Sequence, residues 1–318
     1  THLFSSAASD VYKRQWFSLP ELQNQYFLDE LYRPRLYLLN YFLKSYNYYP
    51  YFYYNSDMSK QALLNVNLIA ARKGAAELEF AVKKVHSLDS SKGGPDGYLK
   101  AIEKRVEDLV FDEIEKFHKE DNLLSIHRGH EINNSNVTWI LKPIDGTENF
   151  LNGYPHFSIS LCAKIDDEIV SAVVIDPIRR EEFSAFAGGG ANLNNNKIRS
   201  SKQQSLIDAM LSFKKSKDKN YDFGKSHKEL SNQNLNMRES GCISLDLAYV
   251  GAGRLDGVWG YDINILDIAA GALIAQEGGA LTSNFLGDPK YINGNNIVVS
   301  TAKIYKSLLK SIKPYFKG

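Results

Sequence analysis

Residues 139–150, Trp-Ile-Leu-Lys-Pro-Ile-Asp-Gly-Thr-Glu-Asn-Phe, constrain the fold more than any other stretch of this chain. Ile140 and Leu141 favour a strand. Pro143 and Gly146 interrupt regular structure, and Thr147 can cap whatever follows. The pattern is a strand running into a tight turn and then a helix start. Free backbone amides at such a start bind phosphate, because the first turn of a helix leaves its donors unpaired.

A chain of 318 residues with 43% apolar content can build one large domain or two layered ones. A net charge of +1 gives no reason to expect nucleic acid or an anionic membrane as partner. No apolar run is long enough to span a membrane. Cys162 and Cys242 lie far apart and form neither a Cys-x-x-Cys pair nor a secreted disulfide framework, which fits a reducing, cytoplasmic setting. Nor is there a secretory leader with a charged start, an apolar middle and a small-residue cleavage site.

The N-terminal segment differs in character from the rest. Of the 19 tyrosines, 11 fall in the first 57 residues, and 46–54 is almost entirely Tyr, Phe, Asn and Pro without helical or strand periodicity. Residues 10–15, Asp-Val-Tyr-Lys-Arg-Gln, read like a translated transposase adapter from DNA library preparation. Residues 1–57 are therefore expected to lie outside the fold, with Met58 as the natural start. An aromatic extension that packs on a partner is the alternative, and residues 28–43 carry an amphipathic pattern compatible with helix.

From Met58 onward the spacing of apolar residues predicts a long helix over 59–86, a loop over 88–98 and a second helix over about 101–119. Strand-like runs follow at 137–142, 157–165, 169–176 and 182–187. Asp176-Pro177-Ile178-Arg179-Arg180 makes a hairpin turn between the last two. Residues 187–196 read as a Gly- and Asn-rich loop, and 205–248 alternate short strand and helix signals. A helix over 265–277 stops at Gly278-Gly279. A buried strand at 296–300 and a helix over about 301–314 close the chain. The mixture predicts α/β layers, with an N-terminal half over 58–195 and a C-terminal half over 196–318.

The 139–150 stretch resembles the signature of the inositol monophosphatase family, Trp-x-x-Asp-Pro-Ile/Leu-Asp-Gly-Thr-x-Asn-Phe, and matches every specified position except the first Asp, where this chain has Lys142. Three further blocks follow in family order: 176–195, 238–257, and 266–271 with Glu277-Gly278-Gly279 downstream. The likeness covers nearly everything after Met58 and is nearest to the bacterial SuhB-type branch. It implies a layered αβαβα sandwich, a homodimer, and Mg²⁺-dependent hydrolysis of a small phosphomonoester such as inositol 1-phosphate. Mg²⁺ suits that chemistry because carboxylate-held ions acidify a water and clamp phosphate oxygens. The same branch implies a second class of role, as a binding partner of the transcription-antitermination machinery and RNA polymerase, independent of hydrolysis.

Carried over residue by residue, the resemblance implies Asp145, the Ile144 carbonyl and Asp267 as metal ligands. It implies Thr147 and Glu103 around the attacking water, Gly146 and Thr147 amides on phosphate, and Gly241, Cys242 and Gly260 near the substrate. Two ligand positions are degenerate. Lys142 stands for an Asp, and a charged ammonium has no lone pair for Mg²⁺; beside Asp145 and Asp267 it would form ion pairs instead. Ser125-Ile126-His127-Arg128-Gly129 stands where a Glu-Glu turn belongs, with Ile126 assigned to the lost Glu and Glu131 as the alternative acid. Read without the resemblance, Glu103 belongs to a solvated helix face and Asp267 is an ordinary helix cap. His127-x-x-His130 with Glu131 reads as a polar surface loop or, at lower weight, a zinc site. Cys242 reads as a small buried residue. Lys142 and Ile126 are either natural replacements or sequence errors of the same origin as the N-terminus.

Overall fold

The structure, a computed structural model, describes residues 56–87, 94–133, 135–216 and 219–317. The expectations for 1–55 fall outside this range. Helix α1 (Ser56–Ala81) runs into a 3₁₀ turn (Val82–Ser87) and is followed by α2 (Gly94–Glu115). Helix α2 starts earlier than the apolar spacing predicts, because Pro95 is tolerated in a first turn, where its missing N–H has no partner to lose. The first sheet takes β1 (Asn122–Ser125), β2 (Gly129–Glu131), β3 (Val137–Asp145), β4 (Ser158–Ile165), β5 (Glu168–Asp176), β6 (Glu181–Phe186), β7 (Gly190–Leu193) and β8 (Asn196–Lys197), in the order β2-β1-β3-β4-β5-β6-β7-β8. A one-turn helix α3 (Thr147–Leu151) separates β3 from β4. The segment 187–196, expected to be loop, contains the short strand β7.

The second sheet takes β9 (Met210–Lys214), β10 (Asn236–Arg238), β11 (Gly257–Tyr261), β12 (Ala280–Ser283) and β13 (Asn296–Thr301), in the order β10-β9-β11-β13-β12. Helices α4 (Phe223–Ser231), α5 (Ile243–Gly251), α6 (Ile265–Glu277) and α7 (Tyr305–Ile312) complete the described elements. Helix α7 is shorter than the expected 301–314, since Thr301 still belongs to β13 and a 3₁₀ turn takes over at Lys313.

Four apolar cores define five layers. The first lies between α1 with α2 and the eight-stranded sheet, and includes Leu78, Phe111, Trp139 and Phe157. The second joins the other face of that sheet, through Cys162, Ala172 and Val174, to α5 and α6 through Leu245 and Ile274. The third packs Leu247, Ile268 and Ala272 on Val258, Ile297 and Val299 of the five-stranded sheet. The fourth covers that sheet's outer face with α4 and α7, around Trp259, Phe285 and Leu308. This is an αβαβα sandwich. Each large side chain fully buried in it contributes about 1.5–3 kcal/mol over remaining exposed.

Within the middle helix layer, α5 and α6 approach closely at Gly271. Gly271 permits it: a Cβ there would lie 2.7 Å from Leu247 Cβ and 2.9 Å from the Ser244 carbonyl oxygen. This layer carries the acidic end of the candidate site. No helix among the described residues is long and apolar enough to cross a membrane.

Candidate active site

The site lies where β3 ends, α6 begins and the last residue of β9 in the second sheet reaches them. Strand β3 pairs regularly with β4 as far as Lys142, opposite Ser160, and the register then shifts before Asp145 meets Ser158. Pro143 lies within that bulge. In an unbroken strand, residues three apart point to opposite faces; the extra step lets Lys142 and Asp145 act on the same region. Gly146 follows with φ +84°. A Cβ on it would lie 3.0 Å from the His156 carbonyl oxygen, so glycine serves both the left-handed backbone and the close approach. Thr147 opens α3, and its turn faces Cys242 and Gly241. Gly241 has φ +81°, and Asn149 Nδ2 donates to the Ser240 carbonyl oxygen at 2.8 Å.

Asp145 is buried. Its Oδ2 accepts the Ser244 backbone N–H at 2.6 Å and the Cys242 thiol at 3.4 Å. Burial pushes its carboxyl above the ordinary range, and the charge of Asp267 adds to this, against the Ser244 amide and Lys142. Asp267 is buried too, as the third residue of α6. It forms a capping box with Asn264, accepting the Asn264 N–H at 3.3 Å. It is thus a capping residue inside the helix, not the cap itself.

Two lysines hold Asp267. Lys142 Nζ donates to Oδ1 at 3.0 Å, and Lys214 Nζ, at the end of β9, donates to Oδ2 at 3.0 Å. Burial would raise the Asp267 carboxyl, but the two ammonium groups outweigh it and hold it below the usual carboxylate range. Burial likewise disfavours the Lys142 ammonium, yet Asp267 and Asp145 together hold it above its ordinary value. Lys214 is paired in register with Gly260 on β11, where a Cβ would come within 3.3 Å of Lys214 Cβ. The position to which the resemblance assigns a substrate-contacting acid is therefore bare, and a lysine stands beside it.

Glu103 departs from the solvated-face reading: it is 5% exposed. His127 Nε2 donates to its Oε2 at 3.0 Å. One turn along α2, Glu107 accepts the backbone N–H groups of His127 and Arg128 at 3.1 and 3.3 Å, which fixes the β1–β2 turn. The turn thereby presents His127, not Ile126, to the cluster. Ile126 is 49% exposed. Glu131 lies on the edge strand β2 and comes near Arg128, at 3.9 Å, rather than Glu103. His130 is exposed on the same strand, and His127, His130 and Glu131 are not among any metal-binding group of three in the described residues.

A divalent ion does not fit this donor set. Both oxygens of Asp267 already accept ammonium groups, and no three Asp, Glu, His or Cys side chains among the described residues converge as a metal-binding group. Mg²⁺ would need near-octahedral oxygen ligation at about 2.1 Å. Lys214 and His127 were not assigned to the site from sequence. Lys214 gives no local signal, since its partner lies on a different element, and His127 lies in the turn at 125–129 that the sequence singled out as degenerate.

An αβαβα sandwich with Asp145 at the β3–α3 turn and Asp267 at the start of α6 is the architecture of the family to which the comparisons lead. Residues 59–315 match the profile of the Inositol monophosphatase family, and the chain belongs to that family. It is 34% identical over 264 residues to Nus factor SuhB of Pseudomonas aeruginosa, covering 80% of this chain and 97% of that protein. It is 35% identical over 261 residues to the Inositol-1-monophosphatase of Rhizobium meliloti, covering 80% and 98%. Among solved structures, the extragenic suppressor protein SuhB of Bartonella henselae superposes with a TM-score of 0.73 at 27% identity, covering 79% of this chain and 98% of that one. The family is generally Mg²⁺-dependent.

Proposed function

We propose that this chain is a family member in which Mg²⁺-assisted phosphomonoester hydrolysis is strongly reduced, its site being filled by internal ion pairs. The observation that carries this reading is the double engagement of Asp267, with Lys142 on one oxygen and Lys214 on the other. Asp145, the Ile144 carbonyl and Asp267 are the ancestral metal ligands in this reading. Glu103 with Thr147 would have oriented the water, and the Gly146 and Thr147 amides would have faced phosphate. Gly241, Cys242 and Gly260 would have bordered the substrate. Replacing the first Asp by Lys142 removes a ligand and adds a like charge beside the ion. At 4 Å and an effective dielectric near 20, an ammonium and a divalent ion repel by about 8 kcal/mol. The pairing of Glu103 with His127 ties up the carboxylate that would have polarised the water.

The test is phosphate release from inositol 1-phosphate across a Mg²⁺ titration. Turnover near background is expected; turnover on the order of 1–10³ per second would refute the reading.

A second reading is favoured by the likeness to proteins named Nus factor SuhB over nearly their whole length. In it the chain acts through association with the transcription machinery, which needs the fold and not the metal. Co-purification of the chain with RNA polymerase from its own host, or failure to co-purify, decides that reading.

A further inference from the structure

We propose that Lys142 and Lys214 together form a tethered replacement for the divalent ion, a built-in dication that makes the folded site independent of metal. The inference rests on the reading that this site does not take Mg²⁺, and extends it to what stabilises the carboxylates instead.

Buried carboxylates are unfavourable unless paired and hydrogen-bonded. Asp145, Asp267 and Glu103 are 7%, 5% and 5% exposed, so nearly all of their neutralisation must come from neighbouring groups and not from water. Two ammonium groups carry the charge of one divalent ion. They reach the same carboxylate from different sheets, Lys142 from β3 of the eight-stranded sheet and Lys214 from β9 of the five-stranded sheet. Asp267 Oδ2 also accepts the Asn264 amide, so both oxygens are satisfied at once. Gly260 opposite Lys214 leaves its stem the space that a side chain there would contest. The lysine at 142 and the bare position at 260 thus belong to one arrangement: the first removes a metal ligand, and the second gives room to the other cation.

Thermal melting of the full chain in EDTA and in millimolar Mg²⁺, with a calorimetric Mg²⁺ titration alongside, tests the proposal. The unmodified chain should melt within about 1 °C of the same temperature in both, because a ligand that does not bind the native state does not stabilise it. Lys142→Met should melt roughly 5–10 °C lower in EDTA, as expected when one partner of a buried pair is removed. Mg²⁺ at about tenfold over a millimolar dissociation constant should restore roughly 3–5 °C of that. If Lys142→Met does not fold in EDTA, Lys214→Met, whose native side chain is 37% exposed, should give a smaller loss with the same Mg²⁺ rescue. Stabilisation of the unmodified chain by Mg²⁺ would overturn the proposal. So would variants that lose stability without rescue, since the lysines would then be ordinary ion-pair partners. Mg²⁺-dependent turnover by the unmodified chain defeats the functional reading, whereas Mg²⁺-dependent melting without turnover defeats only the tethered dication.

Discussion

Substituting Lys142→Asp together with His127→Glu should convert the lysine-held carboxylates into a divalent-binding set. The first change removes the ammonium that repels a divalent ion by about 8 kcal/mol at 4 Å and replaces it with a carboxylate that attracts the ion by a similar amount. Solvent and relaxation will return only part of that difference. Lys214 remains, but it is 37% exposed and its long stem can swing toward water, so its opposition is weaker. His127 already touches Glu103 at 3.0 Å, so Glu at 127 would add a carboxylate at the cluster, where two neighbouring acids gain most from a shared cation. Ile126→Glu would place its charge on a side chain that is 49% exposed and turned outward. Mg²⁺ affinity should therefore rank Lys142→Asp with His127→Glu above Lys142→Asp alone, by about tenfold or 1.4 kcal/mol. Lys142→Asp with Ile126→Glu should be indistinguishable from the single change. Calorimetric titration of Mg²⁺ measures the ranking, and phosphate release from inositol 1-phosphate should follow it. If the Ile126 double variant matches or exceeds the His127 one, the β1–β2 turn does not present His127 to the site as described.

Other expectations concern stability, thiol chemistry and anion binding. Asp121 accepts the buried Trp139 indole N–H at 2.9 Å and the Ser135 hydroxyl at 2.6 Å; Asp121→Ala should cost about 1–3 kcal/mol in urea unfolding, and a loss under 0.5 kcal/mol would contradict that role. Gly271→Ala should destabilise by about 1–3 kcal/mol or more through overpacking, since the new methyl meets Leu247 and the Ser244 carbonyl; an unchanged denaturation midpoint would show that α5 and α6 can part freely. Burial pushes both the Cys162 and Cys242 thiols up, with Asp145 adding to the shift at Cys242. A pKa raised above the ordinary value keeps each protonated at pH 8, so neither should react with Ellman's reagent until the chain is unfolded, and rapid native labelling would count against this packing. Inorganic phosphate in EDTA should bind only in the millimolar range, about 4 kcal/mol, because Asp145 and Asp267 oppose the lysines; micromolar binding would show an anion receptor instead.

Where a structural cause was local, the sequence was readable. The helix over 265–277 is bounded at one end by Asn264 with its capping box and at the other by Gly278-Gly279, and both signals sit in the chain itself. Pro143, expected to end the strand at 142, instead sits in a register shift, and β3 runs on to Asp145. The start of α2 was misjudged because Gly93-Gly94-Pro95 spells a loop and a helix start equally well. Lys214 could not be found this way: nothing near it in sequence distinguishes it from Lys215, and its meaning comes from Asp267 and Gly260 on two other elements. His127 was hidden by register. One position along a turn decides which side chain faces in, and that choice is made by Glu107 on α2 catching the turn's amides.

The two-sheet grip on Asp267 has a consequence for how the molecule assembles. Lys142, Lys214 and Asp267 are remote in sequence and arrive on a strand, a second strand of another sheet and a helix wedged between them. The loop-closure entropy of bringing such segments together falls due before any contact among them forms. Each ion pair can therefore close only once its own sheet has docked on α6, and the two act together only when both sheets are in place. In the finished chain one carboxylate thus ties both sheets to the start of α6, beside the apolar cores that join the same three layers.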